Sequence, residues 1–118
     1  MVNFLKSFVY AFHGFATFFR HERNGKIQLF VAAVAISLSC WLGLSSTEWL
    51  AILGCIGAVL SLEMINSAIE KLCNLVHPAH HPLVKSIKDM CAGAVLWVSI
   101  TSTIIGVIIF LPKILLLL

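Results

Sequence analysis

The sequence predicts an all-α integral membrane protein with an N-terminal amphipathic surface helix followed by three transmembrane helices. Of its 118 residues, 60% are hydrophobic and only 11% are charged. A soluble domain has about 25% charged residues, so this chain cannot cover a water-facing surface, and it is too apolar to be disordered. The net charge of +3 is small, and we therefore expect no nucleic-acid partner.

The N-terminal segment, residues 2–20, has the pattern of a helix that lies in the membrane interface. Five phenylalanines recur every three or four residues and form one stripe: Phe4, Phe8, Phe12, Phe15 and Phe19. The opposite face carries Lys6, His13 and Arg20. An aromatic face opposite a basic face is typical of an interfacial amphipathic helix.

Three further helices are predicted at about 27–44, 49–75 and 90–111, with a loop at 76–82 and a short helical lead-in at 83–89. The first span ends at Gly43, the second begins near the interfacial Trp49, and the third ends before Pro112. Basic residues precede the first apolar run, so we expect no cleavable signal peptide. We treat residues 1–118 as a single membrane domain and the four scattered cysteines as free thiols.

Lysine and arginine positions predict the orientation. Seven of the eight such residues flank one side of the membrane. They are Lys6, Arg20, Arg23, Lys26, Lys71, Lys85 and Lys88, against Lys113 alone on the other side. Because the positive side is cytoplasmic, we expect a cytoplasmic N-terminus and an external C-terminus.

A polar stripe crosses the second span. Glu63, Asn66 and Glu70 follow each other at i, i+3 and i+7, which places them on one helix face. Counted from Glu48 at about 1.5 Å per residue, Glu63 lies within the cytoplasmic half of the membrane. A carboxylate costs a few kcal/mol there, so we interpret the stripe as a functional site. The structural alternative is a hydrogen bond between helices of an oligomer.

The same end of the bundle gathers other charged groups that suit phosphoryl transfer. Glu22 precedes the first span, and Lys88 and Asp89 precede the third. Carboxylates and an amide suit Mg²⁺, and lysines suit phosphate oxygens. No P-loop or protein-kinase motif is present. Histidines 77, 80 and 81 lack the companion ligands of a zinc site.

Three stretches carry a resemblance that covers nearly the whole chain. They are E-R-N-G-K-I-Q at 22–28, E-M-I-N-S-A-I-E at 63–70 and K-D-M-C-A-G-A-V-L at 88–96. In this order and spacing they resemble the prokaryotic diacylglycerol kinase family, which includes undecaprenol kinases. The resemblance implies a homotrimer in the bacterial inner (cytoplasmic) membrane, with active sites between subunits at the cytoplasmic face.

The resemblance also implies a role for each matching residue. Glu63 corresponds to the proton acceptor beside the lipid substrate, and Asn66 to a second catalytic residue. Glu22 and Glu70 correspond to Mg²⁺ ligands, and Ala92 lies near the lipid contact. The nucleotide contacts correspond to Tyr10, Glu22, Glu70, His80, His81, Lys88 and Asp89. Two positions depart from the family, Asn74 for an aspartate and Asn3 for an arginine, and both lie outside the core motif.

The expected function is that of an ATP-dependent lipid kinase that transfers the γ-phosphoryl group to a membrane lipid alcohol. Diacylglycerol, giving phosphatidic acid, is the favoured acceptor, and undecaprenol, giving undecaprenyl phosphate, is the alternative. An alternative of another class is a small oligomeric transporter that uses Glu63 as a proton or cation site. The acids and lysines at the cytoplasmic boundary argue against a transporter.

Self-association is expected because three spans are too few to enclose a nucleotide and a lipid headgroup. Small residues on the second and third spans permit close helix approach: Ala51, Gly54 and Ala58, and Ala92, Ser99 and Gly106.

Overall fold

The computed structural model describes residues 2–118. They form four helices: α1 (Val2–His21), α2 (Arg23–Leu42), α3 (Ser46–Val76) and α4 (Pro82–Leu117). By length and composition, α2, α3 and α4 are each apolar enough to cross a membrane. The predicted all-helical architecture of one amphipathic and three spanning helices is therefore confirmed, whereas the position of α1 in the interface stays a prediction.

Local capping explains why two helix boundaries differ from those predicted. α3 begins before Trp49 because Ser45 and Glu48 form a capping box. The Ser45 hydroxyl accepts a hydrogen bond from the Glu48 N–H, and the Ser45 N–H donates to Glu48 Oε1 at 2.9 Å. α2 begins at Arg23, where Glu22 makes no side-chain capping hydrogen bond, and it ends at Leu42 because Gly43 adopts the left-handed conformation, with φ of 71°.

α4 is one continuous helix that joins the predicted lead-in to the third span. Its N-terminus is capped by the His81 ring, which accepts a hydrogen bond from the Leu83 N–H at 3.1 Å. The helix does not end at Pro112 but runs to Leu117, as transmembrane helices can tolerate a proline. Beyond the proline, Lys113 Nζ lies 3.1 Å from Glu48 Oε1 and ties the end of α4 to the start of α3.

The corner between α1 and α2 is tight. Glu22 alone separates the two helices, in an extended conformation. Phe18, the buried residue of α1, packs on Gly25 so closely that a Cβ there would lie 2.9 Å from the Phe18 carbonyl oxygen. A larger residue at 25 would push the helices apart, so this contact holds Glu22 at the corner.

α3 is the centre of the bundle and packs against both α2 and α4, which touch each other only slightly. The apolar core is small and consists of Phe18, Ala32, Ile52, Val59, Cys73 and Ile109. Most large hydrophobic side chains of the spanning helices stay exposed on the single chain. Lipid or further protein must cover them, because apolar surface of this extent is unfavourable in water. The four cysteines are free thiols.

Candidate active site

The buried end of the site is formed by two polar side chains of α3. Glu63 is 4% exposed and Asn66 is 8% exposed. Within residues 2–118, Glu63 Oε2 and Asn66 Oδ1 are buried and have no hydrogen-bond partner. Such an atom costs about 1–3 kcal/mol, and more when charged. Two such atoms on one helix face indicate that a bound molecule or another subunit supplies the missing hydrogen-bond donors.

Glu70 forms the exposed end of the same stripe. It lies two helical turns beyond Glu63, about 10 Å along the axis, and is exposed. Asn66 Nδ2 and Glu70 Oε1 are 3.5 Å apart, the outer limit of a hydrogen bond. The stripe thus leads from a buried carboxylate to an exposed one.

An ion pair brings the α1–α2 corner to this stripe. Glu22 Oε1 lies 3.1 Å from the Nζ atom of Lys71, the residue that follows Glu70. Sequence reasoning missed the role of Lys71, and no local pattern signals it, because the partners lie on different helices.

The metal ligands expected from the sequence are Glu22 and Glu70. In the part of the chain that the structure describes, no three His, Cys, Asp or Glu side chains stand close enough to hold a metal. Glu70 is exposed on α3, and Glu22 is half-buried at the α1–α2 corner, where it pairs with Lys71 next to Glu70, so two carboxylates lie at this end of the bundle. Such a pair fits Mg²⁺, which takes few protein ligands and fills its shell with water and substrate phosphates.

The site continues from α3 onto α4 along a basic edge, which is formed by Asn74, Lys85, Lys88 and Asp89. Asn74 lies one turn beyond Glu70, and its Oδ1 accepts a hydrogen bond from Lys88 Nζ at 2.5 Å. Asp89 pairs with Lys85 at 2.6 Å, rather than acting with its neighbour Lys88. The Lys85–Asp89 pair has the i, i+4 spacing that stabilises helices, a signal present in the sequence.

The loop between α3 and α4 carries three histidines. The rings of His77 and His81 meet edge to face with centroids 5.1 Å apart. His77 Nδ1 lies 2.9 Å from the Ala79 carbonyl oxygen, and His81 caps α4. His80 is exposed. The loop lies beside the Asn74–Lys88 contact, so these histidines flank the basic edge.

The two remaining candidates lie further out. Ala92 lies one helical turn after Lys88 on α4, and Glu70 lies one turn before Asn74 on α3. Because the two helices are antiparallel and Lys88 contacts Asn74, Ala92 is at about the same height in the bundle as Glu70. Tyr10 is 67% exposed on α1, and within residues 2–118 it has no hydrogen bond to the other candidates. A single chain therefore gathers the acids, Asn66 and Lys88 at one end of the bundle and leaves Tyr10 apart.

Three helices of membrane-spanning length and composition define the chain as a candidate membrane protein, and comparisons with known proteins identify its family. The family described as Prokaryotic diacylglycerol kinase matches residues 9–110. The chain belongs to this family, and it is an ATP-using membrane lipid kinase. This assignment decides between kinase and transporter in favour of the kinase.

The relatives of this chain include both undecaprenol kinases and diacylglycerol kinases. The chain is 42% identical to the undecaprenol kinase of Bacillus subtilis, over 94% of this chain and 90% of that one. It is 36% identical to a diacylglycerol kinase of Synechocystis, over 96% of this chain but 65% of the relative. It is 25% identical to the diacylglycerol kinase of Escherichia coli, over 85% and 82% of the two chains.

Proposed function

We propose that the α3 stripe transfers the γ-phosphoryl group of ATP to a lipid hydroxyl, with Glu63 as the base. Glu63 takes the hydroxyl proton while the lipid oxygen bonds to the γ-phosphorus. The bond from that phosphorus to the bridging oxygen breaks, and ADP leaves. The observation that carries the proposal is the unpartnered, buried Oε2 of Glu63, which is free to accept a proton.

The neighbouring residues bind the lipid headgroup, the metal ion and the nucleotide. The unpartnered Oδ1 of Asn66 can accept a hydrogen bond from the lipid headgroup and so orient it. Glu22 and Glu70 would hold Mg²⁺, and the ion would supply positive charge that offsets the negative charge of the ATP phosphates. Lys88 contacts phosphate oxygens. Asp89, Tyr10, His80 and His81 complete the nucleotide contacts, and Ala92 lies against the lipid.

An apolar groove in the bundle supports a lipid as the acceptor. The groove lies between α2, α3 and α4 and has a volume of about 380 Å³. Its lining includes Val59 and Leu60, one helical turn before Glu63. A hydrocarbon chain in this groove would place its headgroup hydroxyl near the buried carboxylate.

Undecaprenol is the acceptor that we propose, with diacylglycerol second. This ranking departs from the preference that the sequence alone suggested. It rests on the higher identity to the Bacillus subtilis undecaprenol kinase, and on the match that covers almost all of that protein.

We expect purified protein to phosphorylate undecaprenol with a kcat/KM at least tenfold above that for diacylglycerol. The measurement supplies Mg²⁺ and γ-labelled ATP with each lipid alcohol in identical detergent micelles, and a saturated C16 alcohol serves as a control for micelle effects. A higher kcat/KM for diacylglycerol would reverse the ranking of the acceptors. Absence of any labelled lipid would contradict the kinase mechanism.

We further propose that the enzyme works as a homotrimer with a cytoplasmic active site in the bacterial inner membrane. The small core of one chain and its two buried polar atoms without a partner, Glu63 Oε2 and Asn66 Oδ1, support association with further chains. The excess of lysines and arginines at one end supports the orientation. Glu22 pairs with Lys71 of its own chain, and in the proposed trimer it also faces the Glu63 carboxylate of a neighbouring chain, so that each site combines two chains.

A mixing experiment tests the shared site. At a Mg²⁺ concentration that just saturates the wild type, Glu22→Ala chains should be nearly inactive and Glu63→Gln chains inactive, and trimers assembled from both together should recover part of the activity. Recovery follows because some mixed trimers contain one site with both carboxylates. If each chain carried a complete site, mixing would restore nothing. Each variant reassembled with itself provides the baseline.

A further inference from the structure

Among the lysines of α3 and α4, Lys88 differs in the kind of partner that it has. Lys71 pairs with Glu22, Lys85 with Asp89 and Lys113 with Glu48, all of them carboxylates. Lys88 instead donates to the neutral amide oxygen of Asn74, across the gap between α3 and α4. Within residues 2–118, Lys88 has no salt bridge.

A neutral partner has a definite electrostatic consequence. A lysine ammonium has three N–H donors, and the Asn74 contact uses one of them. The contact holds the ammonium at the end of α3 and leaves two donors free. Because the amide carries no net charge, the full positive charge of Lys88 remains available to an anion. A carboxylate at position 74 would hold Lys88 in the same place but offset that charge.

We propose that Asn74 is a positioning residue for the nucleotide, which fixes Lys88 for the ATP phosphates without neutralising it. This inference rests on the proposed role of Lys88 as a phosphate contact. Asn74 itself acts through Lys88 rather than on the reacting atoms. The position also suits the role, since Asn74 lies one helical turn beyond Glu70, on the side from which nucleotide reaches the stripe.

The test compares Asn74→Asp and Asn74→Ala in the purified enzyme, with lipid saturating and MgATP varied. Asn74→Asp should raise the KM for MgATP about two- to fivefold, the range of an exposed ion pair, with kcat nearly unchanged. The dependence of this KM on salt should become shallower, because the charge that attracts ATP is partly offset. Asn74→Ala should also raise KM but keep the steep salt dependence.

Two control variants separate the possible outcomes. Asn3→Asp makes the same charge change at the start of α1 and should leave KM for MgATP unaltered. Lys88→Met should raise this KM at least tenfold. If Lys88→Met has no effect, the proposed phosphate contact itself is wrong. If Lys88→Met raises KM while Asn74→Asp leaves KM and its salt dependence as in the wild type, the inference about Asn74 is overturned and the kinase mechanism stands.

Discussion

Glu63→Gln is expected to abolish phosphoryl transfer, lowering kcat by about 10²-fold or more, the usual contribution of a general base. Glutamine keeps the size and shape of the side chain but cannot take the proton of the lipid hydroxyl. Because Glu63 Oε2 is buried without a partner, no neighbouring group of the described chain is positioned to replace it. The measurement is the rate of lipid phosphate formation at saturating ATP and lipid.

The stability of the variant separates chemistry from folding. Removal of a buried carboxylate that lacks a partner relieves a desolvation cost, so the thermal midpoint of Glu63→Gln should equal or exceed that of the wild type. Glu48→Gln is the matched control, since Glu48 lies on the same helix but pairs with Lys113 at the opposite end. It should retain activity. Near wild-type turnover in Glu63→Gln would show that another group is the base.

Glu22→Gln and Glu70→Gln are expected to raise the Mg²⁺ concentration needed for half-maximal activity at least tenfold. Each substitution removes a negative oxygen ligand and leaves one carboxylate to hold a cation that prefers hard, charged oxygen donors. The measurement is activity against free Mg²⁺ at fixed ATP. Electron paramagnetic resonance of bound Mn²⁺ gives a second measurement that does not depend on turnover.

Lys71→Met tests whether Glu22 matters only through its ion pair. This variant breaks the Glu22–Lys71 contact but keeps the Glu22 carboxylate. Exposed ion pairs contribute at most about 1 kcal/mol, so Lys71→Met should leave the Mg²⁺ requirement within a few-fold of the wild type. If it matches Glu22→Gln in both measurements, the carboxylate serves the corner between helices and the metal lies elsewhere.

The parts of the molecule that follow from local patterns were predictable from the sequence. The 3.6-residue period places Glu63, Asn66 and Glu70 on one face of a helix before any packing is known. Apolar runs of membrane length identified α2, α3 and α4. Boundaries were less certain, since a capping box starts α3 early and α4 continues through Pro112.

The depth of burial and the partners of charged groups depend on tertiary structure. A membrane span predicts that Glu63 is inside the membrane, but only packing against neighbouring helices shows that its Oε2 atom lacks a partner. Residue types and spacing therefore identified the candidate site residues, whereas their burial and hydrogen-bond partners became known only from the packed helices.

The sequence by itself determined the number of spanning helices, the polar stripe of α3 and the family resemblance, because these depend on residue type and on spacing along the chain. Only the tertiary structure decided that Glu22 meets Lys71 and that Lys88 meets Asn74. Those contacts join different helices, and their register depends on the lengths of the connections and on close approaches such as that of Phe18 to Gly25. Such distances are fixed by packing, which no single segment encodes.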